Sequence, residues 1–246
     1  MLCPRPETEE LVELVLADID QLIKDKSMKK DDGKKIRVLD VGCGTGAIGI
    51  AIAHQYPRHL QVVAIDVLRE AVELSNENAE RFLCDLVRDA KAGICNLYKA
   101  FLCCAKDFTN NPSELSATST GPNYEMDFDI VVSNPPYIPT NDMQELSTDV
   151  VGYESHDALC GGDDGLNVIR DIVSRLPEWV CSSTGTGAKR REDQRHCWME
   201  VDDSHPSLLS KWLAPGSKES IRWGVEYSDS CKDFCGRERF VKLKVL

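Results

Sequence analysis

The chain has 246 residues, 42% of them hydrophobic, which suffices for one large α/β domain with a core on both faces of a sheet. Its formal charge of −12 and pI near 4.9 repel a polyphosphate backbone. The lysines Lys24, Lys26, Lys29, Lys30, Lys34 and Lys35 are interrupted by Asp25, Asp31 and Asp32, the pattern of a solvated linker rather than of a nucleic-acid patch. No run of about eighteen apolar residues exists to cross a membrane, and no signal peptide is visible in a chain opening Met1-Leu2-Cys3-Pro4. Eleven cysteines without a C-x-x-C pair indicate neither a disulfide framework nor a zinc knuckle and suit a reducing compartment. Cys231 and Cys235 have only His205 near them in sequence, so no metal is expected there, and buried thiols packing as small hydrophobes are the simpler reading.

Taken in chain order, Leu11, Val12, Val15, Ile19, Leu22 and Ile23 recur at helical spacing after an acidic first turn and predict an amphipathic helix over residues 7–24. Residues 1–35 thus read as a helix and linker leading into a catalytic domain over 36–246. Ile36 to Val41 is a β-branched run ending in a glycine turn, and Ala47 to Gln55 resumes helical composition. Leu60 to Asp66 predicts a second buried strand, and Leu68 to Leu86 a helix with Ala71, Val72, Ser75, Ala79, Phe82 and Leu83 near one face. A third strand is expected over Tyr98 to Ala105, a polar surface loop over Asn110 to Asp127 and a fourth strand over Phe128 to Ser133. An irregular stretch follows the prolines. Then come a helix from about Leu166 to Trp179, a polar loop over Ser182 to Gln194, a strand over His196 to Val201 and a short helix over Ser207 to Leu213. Two closing strands are expected at Ile221 to Tyr227 and Phe240 to Leu246. The alternation implies a seven-stranded, mostly parallel, doubly wound sheet whose last strands, joined by a short connection, are antiparallel.

Asp40-Val41-Gly42-Cys43-Gly44-Thr45-Gly46 lies between the first strand and a helix, where glycines let a backbone approach a ligand closely. A dinucleotide turn would read G-x-G-x-x-G; the spacing here is G-x-G-x-G with a carboxylate two residues before it, which suits the ammonium group of S-adenosylmethionine better than a pyrophosphate. Asp66, ending the second strand, can accept both ribose hydroxyls of an adenosine, or simply cap the helix that follows. Asp107 could accept from the adenine amine and the Phe108 ring could lie on its face, although Phe108 reads equally well as core. Ser133-Asn134-Pro135-Pro136-Tyr137 follows the fourth strand on the same sheet edge. An amide nitrogen is a poor nucleophile, so its methylation needs two acceptors that hold the NH₂ and aim it. The Asn134 side-chain oxygen and the Pro135 carbonyl can be those acceptors, Pro136 stiffens the turn, and the Tyr137 ring can pack on a planar amide or base.

With these residues in order, the chain resembles the release factor glutamine methyltransferases, the PrmC or HemK family. Pro4-Arg5-Pro6-Glu7-Thr8-Glu9, Asp40 to Ala47, Ser133 to Ile138, Ala158-Leu159, Gly161-Gly162, Asp164-Gly165-Leu166 and Asp233 to Phe240 carry the resemblance over nearly the whole chain. Glu200-Val201-Asp202 with His205-Pro206, and Asp233 to Arg237, are similar to the mitochondrial eukaryotic branch, with the cytoplasm as the other compartment open. The resemblance implies a class I S-adenosylmethionine-dependent methyltransferase fold and N5-methylation of the glutamine in the Gly-Gly-Gln loop of a class I peptide chain release factor. A monomer is expected, and the acidic charge argues against direct contact with nucleic acid. By the same resemblance Gly42 to Gly46, Asp66, Phe108 and Asn134 are cofactor positions and Asn134 to Tyr137 the substrate clamp. Family members carry an N-terminal helical domain before Pro4 to Glu9, and this chain starts almost at that motif, so that domain is expected to be absent. Two other readings stay open: an adenine-N6 methyltransferase on DNA or RNA, whose flipped base the same clamp could hold, and a truncated protein that binds cofactor without turnover.

Overall fold

The structure, a computed structural model, describes residues 5–28, 35–86, 90–108, 127–145, 155–180 and 196–246. In chain order its strands are Ile36–Val41 (β1), Leu60–Asp66 (β2), Tyr98–Leu102 (β3), Ile130–Ser133 (β4), Ile138–Pro139 (β5), Cys160–Gly162 (β6), His196–Glu200 (β7), Val225–Lys232 (β8) and Glu238–Val245 (β9). Its helices are Pro6–Met28 (α1), Ala47–Gln55 (α2), Arg69–Leu83 (α3), Ala90–Leu97 (α4), Asn167–Val180 (α5), His205–Trp212 (α6) and Lys218–Trp223 (α7). Seven strands form one sheet in the order β3-β2-β1-β4-β7-β9-β8, parallel except that β9 runs antiparallel to both β7 and β8; β5 and β6 form a separate parallel pair. The seven-stranded, mostly parallel sheet expected from the sequence is therefore the one observed.

All residues of β1 and β4 are buried, as strands covered on both faces must be. Their side chains alternate between two cores. Val38, Ile130 and Val132 join Leu11, Val15 and Ile19 of α1, Ile52 of α2 and Leu83 of α3, while Leu39 and Val131 join Ile169, Ile172, Val173 and Trp179 of α5 and Leu209 of α6. The first helix is thus part of the domain's core. It is pinned through Asp18, whose Oδ2 accepts from Trp198 Nε1 at 2.6 Å and Lys242 Nζ at 2.8 Å and lies 2.7 Å from His196 Nε2. Burial alone raises the Asp18 pKa, but His196, Lys242 and Trp198 outweigh it and hold the carboxyl below its ordinary value.

Several boundaries differ from the sequence expectation. The third strand stops at Leu102, because the chain leaves the sheet at Cys103 and makes a 3₁₀ turn over Ala105–Asp107. Ile221 lies in α7, not in a strand: Ser217 caps that helix by accepting from the Ser220 N–H, and Gly224, at φ 62°, ends it before β8 begins. Phe82 is exposed on α3 rather than part of its inner face. The helix α4 and the β5–β6 pair have no counterpart in the expectation. The loop expected over Asn110 to Asp127 lies, apart from the buried Asp127, outside the described residues, as does all of that over Ser182 to Gln194.

Candidate active site

Strand register brings the chemistry-bearing segments to one edge. Val41 pairs beside Ser133, and Ser133 beside Met199, so the residues that follow, Gly42, Asn134 and Glu200, emerge together at the carboxyl ends of β1, β4 and β7. The Ser133 hydroxyl donates to the Val41 carbonyl at 2.7 Å and ties the first two of these ends together. The chain reverses its direction of progress across the sheet between β1 and β4, the place where an open α/β sheet leaves a crevice.

On the β1 side the backbone shapes the crevice. Gly42, Gly44 and Gly46 take φ values of 73°, 54° and 82°, which other L residues adopt only with strain. The Gly42 and Cys43 amides donate to the Ile65 carbonyl at 2.8 and 3.1 Å, and the Gly44 amide donates to Asp66 Oδ2 at 2.9 Å. Asp66 Oδ1 accepts from the Leu68 amide at 2.9 Å, a turn two residues long just before α3 rather than a cap of that helix, and the same carboxylate also braces the glycine turn. Each oxygen keeps a second lone pair for a ligand. Asp40 lies beneath the turn, fully buried: its Oδ2 accepts from the Gly49 amide at 3.0 Å, and its Oδ1 has no hydrogen-bond partner among the described residues. Burial pushes its pKa up to about 7, opposed by the Gly49 bond and aided by the nearby Asp66 charge.

A cavity of about 970 Å³, counting space open to solvent, runs along this turn and is lined by Thr8, Gly42, Cys43, Gly44, Thr45, Asp66, Val67, Leu68, Cys103, Ala105, Asn134 and Pro136 among others. A smaller cavity of about 240 Å³ is lined by Arg5, Asn134, Pro135, Pro136, Tyr137, Ile138, Ala158 and Leu159. The two share Asn134, Pro136 and Ala158, so the Asn-Pro-Pro-Tyr turn is the partition between them. Of the other residues singled out from the sequence, Asp40 and Gly46 sit under the lining. The structure does not bring Asp107 or Phe108 to it. The exposed Asp107 carboxylate accepts from Cys104 Sγ at 2.9 Å. The Phe108 ring is 2% exposed and packed in the core against Phe128 and Trp179, with centroids 6.5 and 6.1 Å away. Cys103 and Ala105 line the cavity in their stead. The Cys43 thiol lines it too, but burial first, then the charges of Asp40 and Asp66, pushes its pKa up and disfavours a thiolate nucleophile.

The clamp turn is held by residues to which no role was assigned from sequence. The Asn134 amide nitrogen donates to Thr8 Oγ1 at 3.3 Å, the Thr8 hydroxyl donates to Glu200 Oε2 at 2.9 Å, and Arg239 Nη2 donates to Glu200 Oε1 at 3.3 Å and to the Tyr137 hydroxyl at 2.6 Å. The Arg239 guanidinium also lies 5.1 Å from the Tyr137 ring centroid, a cation–π distance. Burial raises the Glu200 pKa, while the Thr8 and Arg239 contacts oppose the rise. On the other side, Gly165 at φ 75° presses against the turn so closely that an added Cβ would lie 2.3 Å from the Tyr137 carbonyl oxygen. Arg237, bonded to Glu7 at 3.2 Å, joins the Pro4–Glu9 and Asp233–Phe240 signatures in space. Those two signatures, with Glu200, were the only sequence signal for this support. Asn134 lines both cavities, and its Oδ1 is buried with no hydrogen-bond partner among the described residues.

A family model described as a methyltransferase domain matches residues 32–147. Among solved structures, the human methyltransferase 10 domain containing protein aligns with a TM-score of 0.53 at 15% identity, covering 99% of this chain and 84% of that one, a likeness of fold alone. Fold and glycine turn together define a class I S-adenosylmethionine-dependent methyltransferase domain. The chain is 34% identical over 243 residues to the MTRF1L release factor glutamine methyltransferase of Homo sapiens, covering 98% of this chain and 60% of the relative. It is 34% identical over 179 residues to the release factor glutamine methyltransferase of Bacillus anthracis, covering 72% and 51%, and 31% identical over 244 residues to that of Deinococcus radiodurans, covering 99% and 66%. The chain belongs to the release factor glutamine methyltransferase family. It spans about half to two thirds of the length of these curated relatives.

Proposed function

We propose that the chain methylates the side-chain nitrogen of a glutamine, the one in the Gly-Gly-Gln loop of a peptide chain release factor, with S-adenosylmethionine as donor. The observation that carries this reading is the buried Asn134 Oδ1, without a hydrogen-bond partner among the described residues, on a side chain that lines both cavities. A buried acceptor without a donor costs free energy, on the order of 1–3 kcal/mol, unless a ligand supplies one. The larger cavity fits the donor: its glycine backbone leaves room at Gly42, where an added Cβ would meet nothing within 4 Å, and Asp66 offers free lone pairs beside it. Gly42 to Thr45 would hold the methionine part and Asp66 the ribose, with Gly46 shaping the turn and Asp40, once ionised, biasing the site toward a cation from beneath. S-adenosylmethionine, when bound, supplies an electrophilic sulfonium methyl group.

The chain's own residues would supply alignment. Asn134 Oδ1 and the Pro135 carbonyl accept the two N–H hydrogens of the substrate carboxamide and fix the direction of its nitrogen. Pro136 keeps the turn rigid, and the Tyr137 ring, held by Arg239, lies against the planar group. The apolar walls at Val41, Ile48, Ile65 and Ala71 keep water from competing for the methyl group. No side chain of matched pKa is needed, since the nitrogen sheds its proton once methylated.

The charge of −12 supports a protein substrate over the adenine-N6 reading, because a nucleic acid would meet net repulsion. We further propose that the chain acts as a monomer without direct nucleic-acid contact, the latter supported by its net negative charge. We also propose the mitochondrion as its compartment, supported by the branch resemblance at Glu200 to Asp202 and Asp233 to Arg237. The decisive assay offers labelled S-adenosylmethionine with a release factor and with double-stranded DNA side by side. Label on the release factor alone is the expected result, and label on DNA with an unlabelled release factor would overturn it.

A further inference from the structure

An Asn side chain presents a donor at one end and an acceptor at the other, and only the acceptor end can hold a substrate NH₂. Something must therefore decide which end faces out. In this molecule the decision is made by a chain of hydrogen bonds with a single allowed polarity. Arg239 is permanently charged and lies 3.3 Å from Glu200 Oε1, which favours the ionised, acceptor-only form of the Glu200 carboxylate against its burial. The Thr8 hydroxyl, 2.9 Å from Glu200 Oε2, has one hydrogen and must spend it there. Toward Asn134, Thr8 is left with lone pairs alone. The Asn134 atom 3.3 Å from Thr8 Oγ1 is then required to be the amide nitrogen, which leaves Oδ1 without a partner among the described residues.

We propose that Thr8, Glu200 and Arg239 are positioning residues that fix the Asn134 carboxamide with its oxygen toward the substrate, making the clamp an acceptor for a planar NH₂ group. The proposal rests on the glutamine-methylation reading above but concerns residues outside the Asn-Pro-Pro-Tyr turn. In Glu200→Gln the shape is nearly kept, yet the new amide can donate to Thr8. Thr8 is then free to donate to the Asn134 oxygen, and the carboxamide can turn its NH₂ outward against the NH₂ of the guest.

The test compares wild type, Glu200→Gln, Thr8→Val and Thr8→Ser by three readouts: kcat/KM on a release factor, S-adenosylhomocysteine affinity, and the Asn134 side-chain NH₂ signals in a ¹⁵N-resolved NMR spectrum, assigned by their loss in Asn134→Ala. Glu200→Gln and Thr8→Val should lose about tenfold to a hundredfold in kcat/KM, mainly in kcat, with S-adenosylhomocysteine affinity within about twofold of wild type. Thr8→Ser, which keeps the hydroxyl, should recover to within about threefold of wild type. The Asn134 signals should move in Glu200→Gln and Thr8→Val and stay in place in Thr8→Ser. Unmoved signals in the first two variants overturn the proposal, and so does a parallel loss of cofactor affinity, which marks a merely structural role. A wild-type chain that binds S-adenosylhomocysteine but methylates no release factor contradicts the functional reading instead; the spectrum, which needs no turnover, still decides the relay.

Discussion

The two halves of the crevice are built on different principles. The glycine-turn half is local: the Gly44 amide and the Asp66 carboxylate that braces it are 22 positions apart, and the Asp40 carboxylate and the Gly49 amide only nine. The clamp half is assembled from distant segments, with Thr8 and Glu200 separated by 192 positions, Asn134 and Thr8 by 126, and Arg239 and Tyr137 by 102. One half relies on backbone conformation, the other on side chains whose hydrogen-bond polarity is set by neighbours. A short motif therefore suffices to specify the first, whereas the second exists only once the whole sheet has assembled.

If the halves are separable in this way, substitutions should divide between them. The largest effect is expected from Asn134→Ala, which should lower methylation by at least about a hundredfold. Because its damage falls on the clamp, S-adenosylhomocysteine affinity measured by calorimetry should stay within about tenfold, a loss of at most ~1.4 kcal/mol. An equally active variant would remove the clamp mechanism. In the glycine turn, Gly46→Ala puts a Cβ 2.6 Å from Ser75 Oγ and 2.8 Å from Ile50 Cδ1 at a φ of 82°. It should cost about 2–4 kcal/mol of stability and weaken cofactor binding. Gly42→Ala, where a Cβ meets nothing within 4 Å, should show only the backbone cost of about 1–2 kcal/mol. Thermal melts of the pair separate contact from conformation, and equal losses would argue against the close packing of Gly46.

A pH-dependent effect concerns Asp40. Its folded pKa, raised by burial to about 7, exceeds the unfolded value near 4, so the folded state holds the proton more tightly. The contribution to stability is fully present below about pH 4 and is lost as pH rises through 7. Melting temperatures of wild type should fall relative to those of Asp40→Asn between pH 5 and pH 8; parallel curves would show that Asp40 is ionised throughout.

Legibility followed the same division. Ile36–Val41 and Leu60–Asp66 are β-branched runs ending in a glycine turn and an acid, and both strands occupy the expected residues. Composition misled where apolar character outlasted the element: Cys103 to Ala105 continue the pattern of β3 but have left the sheet, and Ile221 looks like the start of a strand while Ser217 and Gly224 bracket a helical turn around it. Phe108 stands beside an acid a few residues beyond β3, which fits an adenine platform as well as a core residue; only its enclosure by Phe128 and Trp179 distinguishes them. β5 and β6 are too short to carry a period. Asn134 to Tyr137 could be read as a clamp, but Thr8, Glu200 and Arg239 could not, because a hydroxyl, an acid and a base far apart in sequence carry no pattern until register places them together.

The reaction itself is tested most directly by peptide mass spectrometry of a release factor incubated with the chain and S-adenosylmethionine. A single added methyl group on the side chain of the glutamine in the Gly-Gly-Gln loop, absent when Asn134→Ala replaces the wild type, is the expected result. An unmodified glutamine, or a methyl group placed on another residue, would contradict it.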